Sequence, residues 1–338
     1  MDKLSINPCN LCPRECNVRR EEGQTGYCRS DDRIFIARAA LHMWEEPCIS
    51  GEKGSGTVFF SGCNLRCVYC QNYEIAAGGR GKVVSVERLA QIFLKLQGQG
   101  AANINLVTPD HYVPGVAQAV LMAKEQGLVL PVVYNCSGYA KREVIKSLTG
   151  IVDIFLTDFK YMDPALAAKY SAAPDYPAVA KEALEEMVYI TKSTTSRGIT
   201  VNDRNMKKTT NARCEDAQID EKVYINENPV FDENGMMQRG VIVRHLLLPG
   251  HKQNAKDVIR YVYETYGDSI YISLMNQYTP FDRLRDHSEY GELGRKVTKR
   301  EYESVVDYAI GLGITNAYIQ EGDTARESFI PPFDVRKE

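Results

Sequence analysis

The sequence lacks an apolar run long enough to cross a membrane: nothing in its 338 residues approaches the roughly 20 consecutive apolar positions that a spanning helix needs. The N-terminus, "MDKLSINPCNLCPREC", has no apolar stretch of the kind found in a secretory signal. No sign of charge dominates. The 41 Lys and Arg against 44 Asp and Glu leave −3, with the two signs interspersed. A basic face or arm is therefore missing, which argues against nucleic acid as the main partner. Internal repeats and low-complexity tracts are absent as well. What remains is an ordinary globular composition, 44% hydrophobic and 25% charged, sufficient for a sizeable core. These exclusions point to a cytoplasmic globular protein with no membrane and no nucleic-acid partner.

Cysteine is present in excess of what such a protein needs. Disulfides are disfavoured in the cytosol, so clustered thiols there indicate metal or redox chemistry. Seven of the ten cysteines fall into two clusters, at 9–28 and 63–70, while Cys48, Cys136 and Cys214 stand alone.

The first 30 residues are polar and rich in turn-formers, with too few apolar residues for a core. Residues 1–30 therefore read as a cysteine-rich metal-binding module. Residues 31–56 read as a linker ending in a glycine-rich turn. From 57 to 320, short β-rich runs alternate with helical patterns. The runs are "TVFF" (57–60), "INLVT" (104–108), "LVLPVVY" (128–134), "IVDIFLTDF" (151–159), "VIVRHLLL" (241–248), "IYISLM" (270–275) and "NAYIQ" (316–320). Several are almost continuously apolar, as parallel strands covered on both faces are. Between them, 86–97 places Leu89, Ile92, Phe93 and Leu96 on one helical face, and 113–127 and 254–267 each end on a glycine stop. The alternation predicts an α/β fold around a parallel sheet, open or closed into a barrel. A polar, weakly periodic interval at about 192–237 interrupts it. It reads as an insertion, either a long loop or a small β excursion around "KVYI". Residues 321–338 read as a C-terminal tail.

The most specific string is "SGCNLRCVYCQNYE" (61–74), with Cys63, Cys67 and Cys70 in eight positions. Thiolates select soft metals such as zinc, copper(I) or iron–sulfur clusters. The spacing C-x3-C-x2-C, directly after a strand, suits three corners of a cubane 4Fe–4S cluster and leaves one iron open, much as catalytic zinc sites keep a position open. The competing reading is a zinc knuckle with a remote histidine, such as His42, as fourth ligand. The preceding strand, the strand series that follows and the placement of Tyr69 favour the cluster.

With that spacing and an aromatic just before the last cysteine, the sequence resembles the radical S-adenosylmethionine superfamily. The string "CNLRCVYCQN" is most similar to the branch containing the activating enzyme of pyruvate formate-lyase. The resemblance covers roughly 57–320 and implies a partial (β/α)6 TIM-type barrel with the cysteine loop at its open top. It also implies that the open iron binds S-adenosylmethionine, and that reductive cleavage gives a 5′-deoxyadenosyl radical. Tyr69, Gln71 and Asn72 of the loop are implied cofactor contacts. So are Asn135 and Ser137, suited to ribose hydroxyls, and the pair Asp158 and Lys160, whose lysine would balance the methionine carboxylate. Arg244 joins this set, with Gln277, which stands where the branch has a histidine. Two other positions depart from the family. Asn135 replaces an Asp that helps to hold a cation, so no such cation is expected. "VTPDHY" replaces a Gly-Gly-Glu turn, which leaves the carbonyls of Thr108 and Pro109 to receive the cofactor's amino group. His111 reads as a loop histidine.

Cys9, Cys12, Cys16 and Cys28, spaced C-x2-C-x3-C-x11-C, read as a closed four-ligand site whose metal supplies folding energy. Zinc and an auxiliary 4Fe–4S cluster both stay open. Cys48 and Cys136 read as buried packing residues and Cys214 as an exposed thiol. Glu45 and Glu46 are placed at the site mouth, and Trp44 is taken as a packing anchor. Three functions follow: an enzyme that draws a hydrogen from the glycine of a partner glycyl radical enzyme, one of the same chemistry acting on another peptide or small molecule, or a non-catalytic Fe–S or zinc-binding protein. The first two need a flavodoxin- or ferredoxin-like electron donor.

Overall fold

The computed structural model describes residues 5–195, 223–225, 229–285 and 287–320. Its strands are β1 (Ile34–His42), β2 (Ser55–Phe60), β3 (Lys82–Val84), β4 (Ile104–Val107), β5 (Val132–Cys136), β6 (Ile154–Asp158), β7 (Ser193–Thr195), β8 (Val223–Ile225), β9 (Val230–Phe231), β10 (Met237–Leu246), β11 (Tyr271–Met275) and β12 (Ala317–Ile319). Seven of them, β2, β4, β5, β6, β10, β11 and β12, are neighbours in that order and run parallel. Sequential parallel order arises when successive crossovers turn the same way, the winding of a TIM-type barrel. The outer strands β3 and β12 do not pair among the described residues, so the sheet is an arc. It holds one parallel strand more than the six-fold arc expected from the resemblance.

Each apolar run became a strand, with shifted ends. The run at 128–134 joins the ladder only at Val132, because Pro131 has no N–H to donate, and it continues to Cys136. Helices α1 (Pro47–Ser50), α2 (Tyr73–Ala76), α3 (Val86–Gly98), α4 (Val113–Glu125), α5 (Arg142–Lys146), α6 (Pro164–Ser171), α7 (Tyr176–Lys192), α8 (Lys252–Tyr266), α9 (Asp282–Arg285) and α10 (Lys299–Gly311) occupy the connections. The three helical patterns correspond to α3, α4 and α8. Ser85 caps α3 by accepting the Arg88 N–H at 3.2 Å, and the face with Leu89, Ile92, Phe93 and Leu96 is buried as expected.

The segment 31–56 is not a linker. Most of its first half is β1, which pairs antiparallel with both β2 and β3. Helix α1 then presents Cys48 and Ile49 to a buried cluster with Val133, Ile154, Leu156, Met237 and Ile242 of β5, β6 and β10. Side chains alternate across a strand, so this cluster fills the face opposite the one that meets the helices, where Tyr134, Phe155, Val241 and Val243 pack.

The polar interval lies between α7 and β10. It contains the antiparallel pair β7–β8, the β excursion expected around "KVYI", and β9 pairs with β10. Cys214 and the tail 321–338 lie outside the described residues. Among the described residues no helix is long and apolar enough to cross a membrane.

Candidate functional site

Parallel strands in one arc bring their carboxyl ends to a common rim, where ligands gather. The three-cysteine loop leaves β2 at that rim. Gly62 opens it with a φ of 92°, and a Cβ there would meet the Ser30 Oγ at 2.6 Å, the Cys28 carbonyl oxygen at 2.7 Å and His111 Nε2 at 2.9 Å. Only glycine fits that passage. The loop is then held from several sides. Asn64 Nδ2 donates to the Tyr139 carbonyl at 2.8 Å, and the Val68 N–H to the Tyr170 carbonyl at 2.9 Å. The Ser171 hydroxyl donates to Cys67 Sγ at 2.9 Å, while the Tyr161 hydroxyl donates to that of Tyr69 at 2.7 Å. Burial, reinforced by the neighbouring Cys67, pushes the Cys63 thiol up to about 11 and the Cys70 thiol up to about 12. Thiols so placed carry protons at neutral pH that a metal has to displace.

The loop faces a cavity of about 390 Å³, within the range of small-molecule sites. Cys67, Tyr69, Cys70, Gln71 and Asn72 line it from the loop; Asn135, Asp158, Lys160, Arg244 and Gln277 line it from the strand ends. Gln71 Nε2 ties the two groups together by donating to the Gln277 carbonyl at 3.2 Å. Trp44, Glu45 and Glu46 reach the same cavity from the segment between β1 and α1.

Charges along its wall alternate. Lys160 Nζ lies 2.6 Å from Asp158 Oδ2, Arg244 Nε 3.0 Å from Asp158 Oδ1, and Arg244 Nη1 3.2 Å from Glu45 Oε2. Arg244 Nη2 also donates to Asn135 Oδ1 at 2.6 Å, and Asn105 Nδ2 to Glu45 Oε1 at 3.0 Å. Burial alone would raise the Asp158 carboxyl, but Lys160 and Arg244 outweigh it and hold that group below the usual carboxylate range. For Glu45 and Glu46 burial wins over Arg244, and both are raised. Glu46 is 8% exposed, and its Oε2 has no hydrogen-bond partner among the described residues.

Several expected residues lie elsewhere. Cys63, which interacts with Cys67, is not among the residues that line the cavity. Ser137 does not line the cavity: its carbonyl accepts from the Tyr176 hydroxyl at 2.8 Å, and its own hydroxyl accepts the Tyr139 N–H at 3.4 Å. Thr108 and Pro109 are off the lining too, the Thr108 N–H going to the Asn135 carbonyl and the Pro109 carbonyl accepting the Tyr112 N–H, both at 2.8 Å. His111 is buried, with Nε2 donating to the Ser61 carbonyl at 2.8 Å. Trp44 is no packing anchor, because it stands 62% exposed at the cavity. Cys48 and Cys136 are buried as expected, Cys136 Sγ lying 3.4 Å from Thr157 Oγ1.

The N-terminal segment brings its four cysteines together. The Cys9 N–H donates to the Val18 carbonyl at 2.9 Å, and the Tyr27 N–H reaches Cys16 Sγ at 3.2 Å. Burial, with smaller contributions from Cys28, Cys9 and Cys16, pushes the Cys12 thiol up to about 12. This segment does not depend on its own apolar content. Leu11 and Arg20 are buried, Arg20 Nη1 donating to the His111 carbonyl at 2.6 Å, and the Tyr27 hydroxyl donates to the Leu65 carbonyl at 3.3 Å. Among the described residues no three His, Cys, Asp or Glu side chains converge closely enough to hold a single metal ion. Arg14 and Ser171 are residues near the site that no sequence motif marked, and the pairing of Glu45 with Arg244 was not expected either.

Comparison with known proteins adds to this geometry. Residues 57–209 match the model of the Radical SAM superfamily. The uncharacterised protein MJ0674 of Methanocaldococcus jannaschii is 25% identical over 308 residues, 89% of this chain and 74% of that protein. A second uncharacterised protein of that organism, MJ0808, is 24% identical over 224 residues, 61% of this chain and 62% of its own length. Among solved structures, Streptococcus suis SuiB bound to precursor peptide SuiA superposes with a TM-score of 0.45 at 11% identity. That match covers 77% of this chain, which spans less than half, 46%, of SuiB.

Proposed function

We propose that this chain is a radical S-adenosylmethionine enzyme that abstracts a hydrogen atom from a small molecule or from a side chain of a peptide. The observation that carries the reading is that Cys67 and Cys70 open onto the same cavity as the alternating Lys160–Asp158–Arg244–Glu45 wall. The donors fit the group. Three soft thiolate donors, Cys63, Cys67 and Cys70, would hold a 4Fe–4S cluster and leave one iron without a thiolate from this loop. When bound, the cluster supplies one electron to the sulfonium of S-adenosylmethionine, and the cleaved cofactor supplies hydrogen abstraction.

This chain's residues bind and orient. Lys160 would balance the cofactor's carboxylate, Asp158 fixes Lys160 in place, and Tyr69, Gln71, Asn72, Asn135, Arg244 and Gln277 border the remaining volume. Trp44, Glu45 and Glu46, from the segment between β1 and α1, border the same cavity. Cys9, Cys12, Cys16 and Cys28 would hold a second, closed cluster or zinc, in a module docked on the barrel. A flavodoxin- or ferredoxin-like protein would deliver the electron.

Anaerobically reduced protein incubated with S-adenosylmethionine is expected to release 5′-deoxyadenosine, and a Cys63→Ala variant is not. Equal yields from the two would sink the reading. Iron counting after reconstitution separates the options at the N-terminal site, about eight irons per chain meaning two clusters and about four leaving that site to zinc. A glycine-centred radical signal on a partner enzyme would instead assign the activating role.

A further inference from the structure

Three carboxylates, Asp158, Glu45 and Glu46, and two cations, Lys160 and Arg244, line the cavity, so one negative charge is in excess. Asp158 is matched by Lys160, and Glu45 by Arg244. Glu46, which shares Arg244 with Asp158 and Glu45, is buried yet lines the cavity, with Oε2 unpartnered among the described residues. Ser273 supplies a side-chain hydrogen bond to this group.

The strand register places it. Asp158 pairs with Arg244, and Arg244 with Ser273. Two inter-strand spacings of roughly 4.8 Å separate Ser273 from Asp158 by on the order of 10 Å. Lys160, on the Asp158 side, interacts with Cys67 and Cys70. The cavity therefore has a thiol pole at β6 and a carboxylate pole at β11.

We infer that Glu46 is the recognition residue for a substrate carrying a nitrogen cation, an ammonium or guanidinium, seated at the carboxylate pole. The inference rests on the proposed function in giving the thiol pole to the cofactor. A nitrogen cation is the group that pairs an unmatched buried carboxylate and supplies N–H donors to its vacant oxygen. An anion would be repelled, and a neutral group would not offset the excess of three carboxylates over two cations. Trp44 adds an aromatic surface of the kind that attracts cations.

Trp44 is the only tryptophan in the chain, so its fluorescence reports on this cavity. The probe is n-butylammonium chloride, titrated into the anaerobically reconstituted full chain, with neutral 1-butanol as the control of similar length. A saturable response to the cation alone is expected, with at least tenfold weaker binding in Glu46→Gln and intermediate binding in Glu46→Asp, which keeps the charge. The inference is overturned if 1-butanol binds as well, or if Glu46→Gln binds the cation like the parent. Repeating the titration with saturating S-adenosylmethionine separates the two sources of a cation. Undiminished binding assigns the pole to substrate, and competitive displacement assigns it to the cofactor and overturns the inference. Absence of 5′-deoxyadenosine would sink the proposed function while leaving the cation titration readable.

Discussion

Arg14 donates its Nε–H to the backbone carbonyl of Asn64 over 2.9 Å, joining the four-cysteine segment to the three-cysteine loop. The same guanidinium reaches the carbonyls of Ala172 at 2.6 Å and Ser171 at 3.1 Å. It also lies 4.0 Å over the Tyr27 ring. One planar cation with several fixed donors thus ties together pieces that a lysine, a point charge, would hold only one at a time.

Arg14→Ala is expected to lower stability by about 2 kcal/mol, since hydrogen bonds to charged groups contribute ~1.5–3 kcal/mol and these are partly exposed. Arg14→Lys should recover less than half of the loss. Thermal melts of the three proteins, read beside their iron content, check both statements.

Gly62→Ala places a Cβ within 3.0 Å of Ser30, Cys28 and His111 at a left-handed backbone position. Backbone strain alone costs roughly 1–2 kcal/mol there, and the clash adds to it. We expect a loss of about 2 kcal/mol or more in denaturant unfolding, with iron incorporation at the loop falling in parallel. A variant as stable as the parent would show that the loop does not press on the N-terminal segment.

Asp110 makes stability depend on pH. Its Oδ1 accepts from the Tyr134 hydroxyl at 3.2 Å, Oδ2 has no partner among the described residues, and burial pushes the carboxyl up to about 7. In the unfolded chain an Asp titrates near 3.9. The folded state therefore holds this proton more tightly, and the resulting stabilisation is complete below about pH 4 and lost as pH rises through about 7. Asp110→Asn removes that dependence, so its stability relative to the parent should rise between pH 5 and pH 8. Melting temperatures at those two values test the sign.

Ser171→Ala removes the hydroxyl that donates to Cys67 Sγ. Hydrogen bonds to ligating sulfurs favour the reduced state of an iron–sulfur cluster. The midpoint potential is expected to fall by on the order of tens of mV, measured by potentiometric titration of the reconstituted protein. An unchanged potential would argue against Cys67 as a cluster ligand.

The parallel strands were legible because their apolar runs are short, bounded and almost uninterrupted, as in "INLVT" and "IYISLM". Strand β1 was not. Its residues are mostly half-buried, with no clear alternation, and only pairing with β2 and β3 makes them a strand. The cysteines announced themselves by spacing, and the Asp158–Lys160 pair lay at a recognisable strand end. Glu45 and Arg244, 199 positions apart, carry no local pattern, and only the register of the arc brings them together. Ser137 failed for a related reason: residues beyond a strand end point where the turn sends them, and here the Tyr176 hydroxyl takes its carbonyl.

The wall of the cavity runs cation, anion, cation, anion from Lys160 through Asp158 and Arg244 to Glu45. A row of alternating signs cancels most of its own field within a short distance, so along this row an approaching molecule meets multipoles, and the net charge of the cavity is the one Glu46 adds. Long-range steering, which salt suppresses, contributes little to entry along such a surface. A zwitterion is sorted only at contact, by whether its two charges match the spacing of the row. Selectivity along this row accordingly depends on the distance between a ligand's charges more than on their sum.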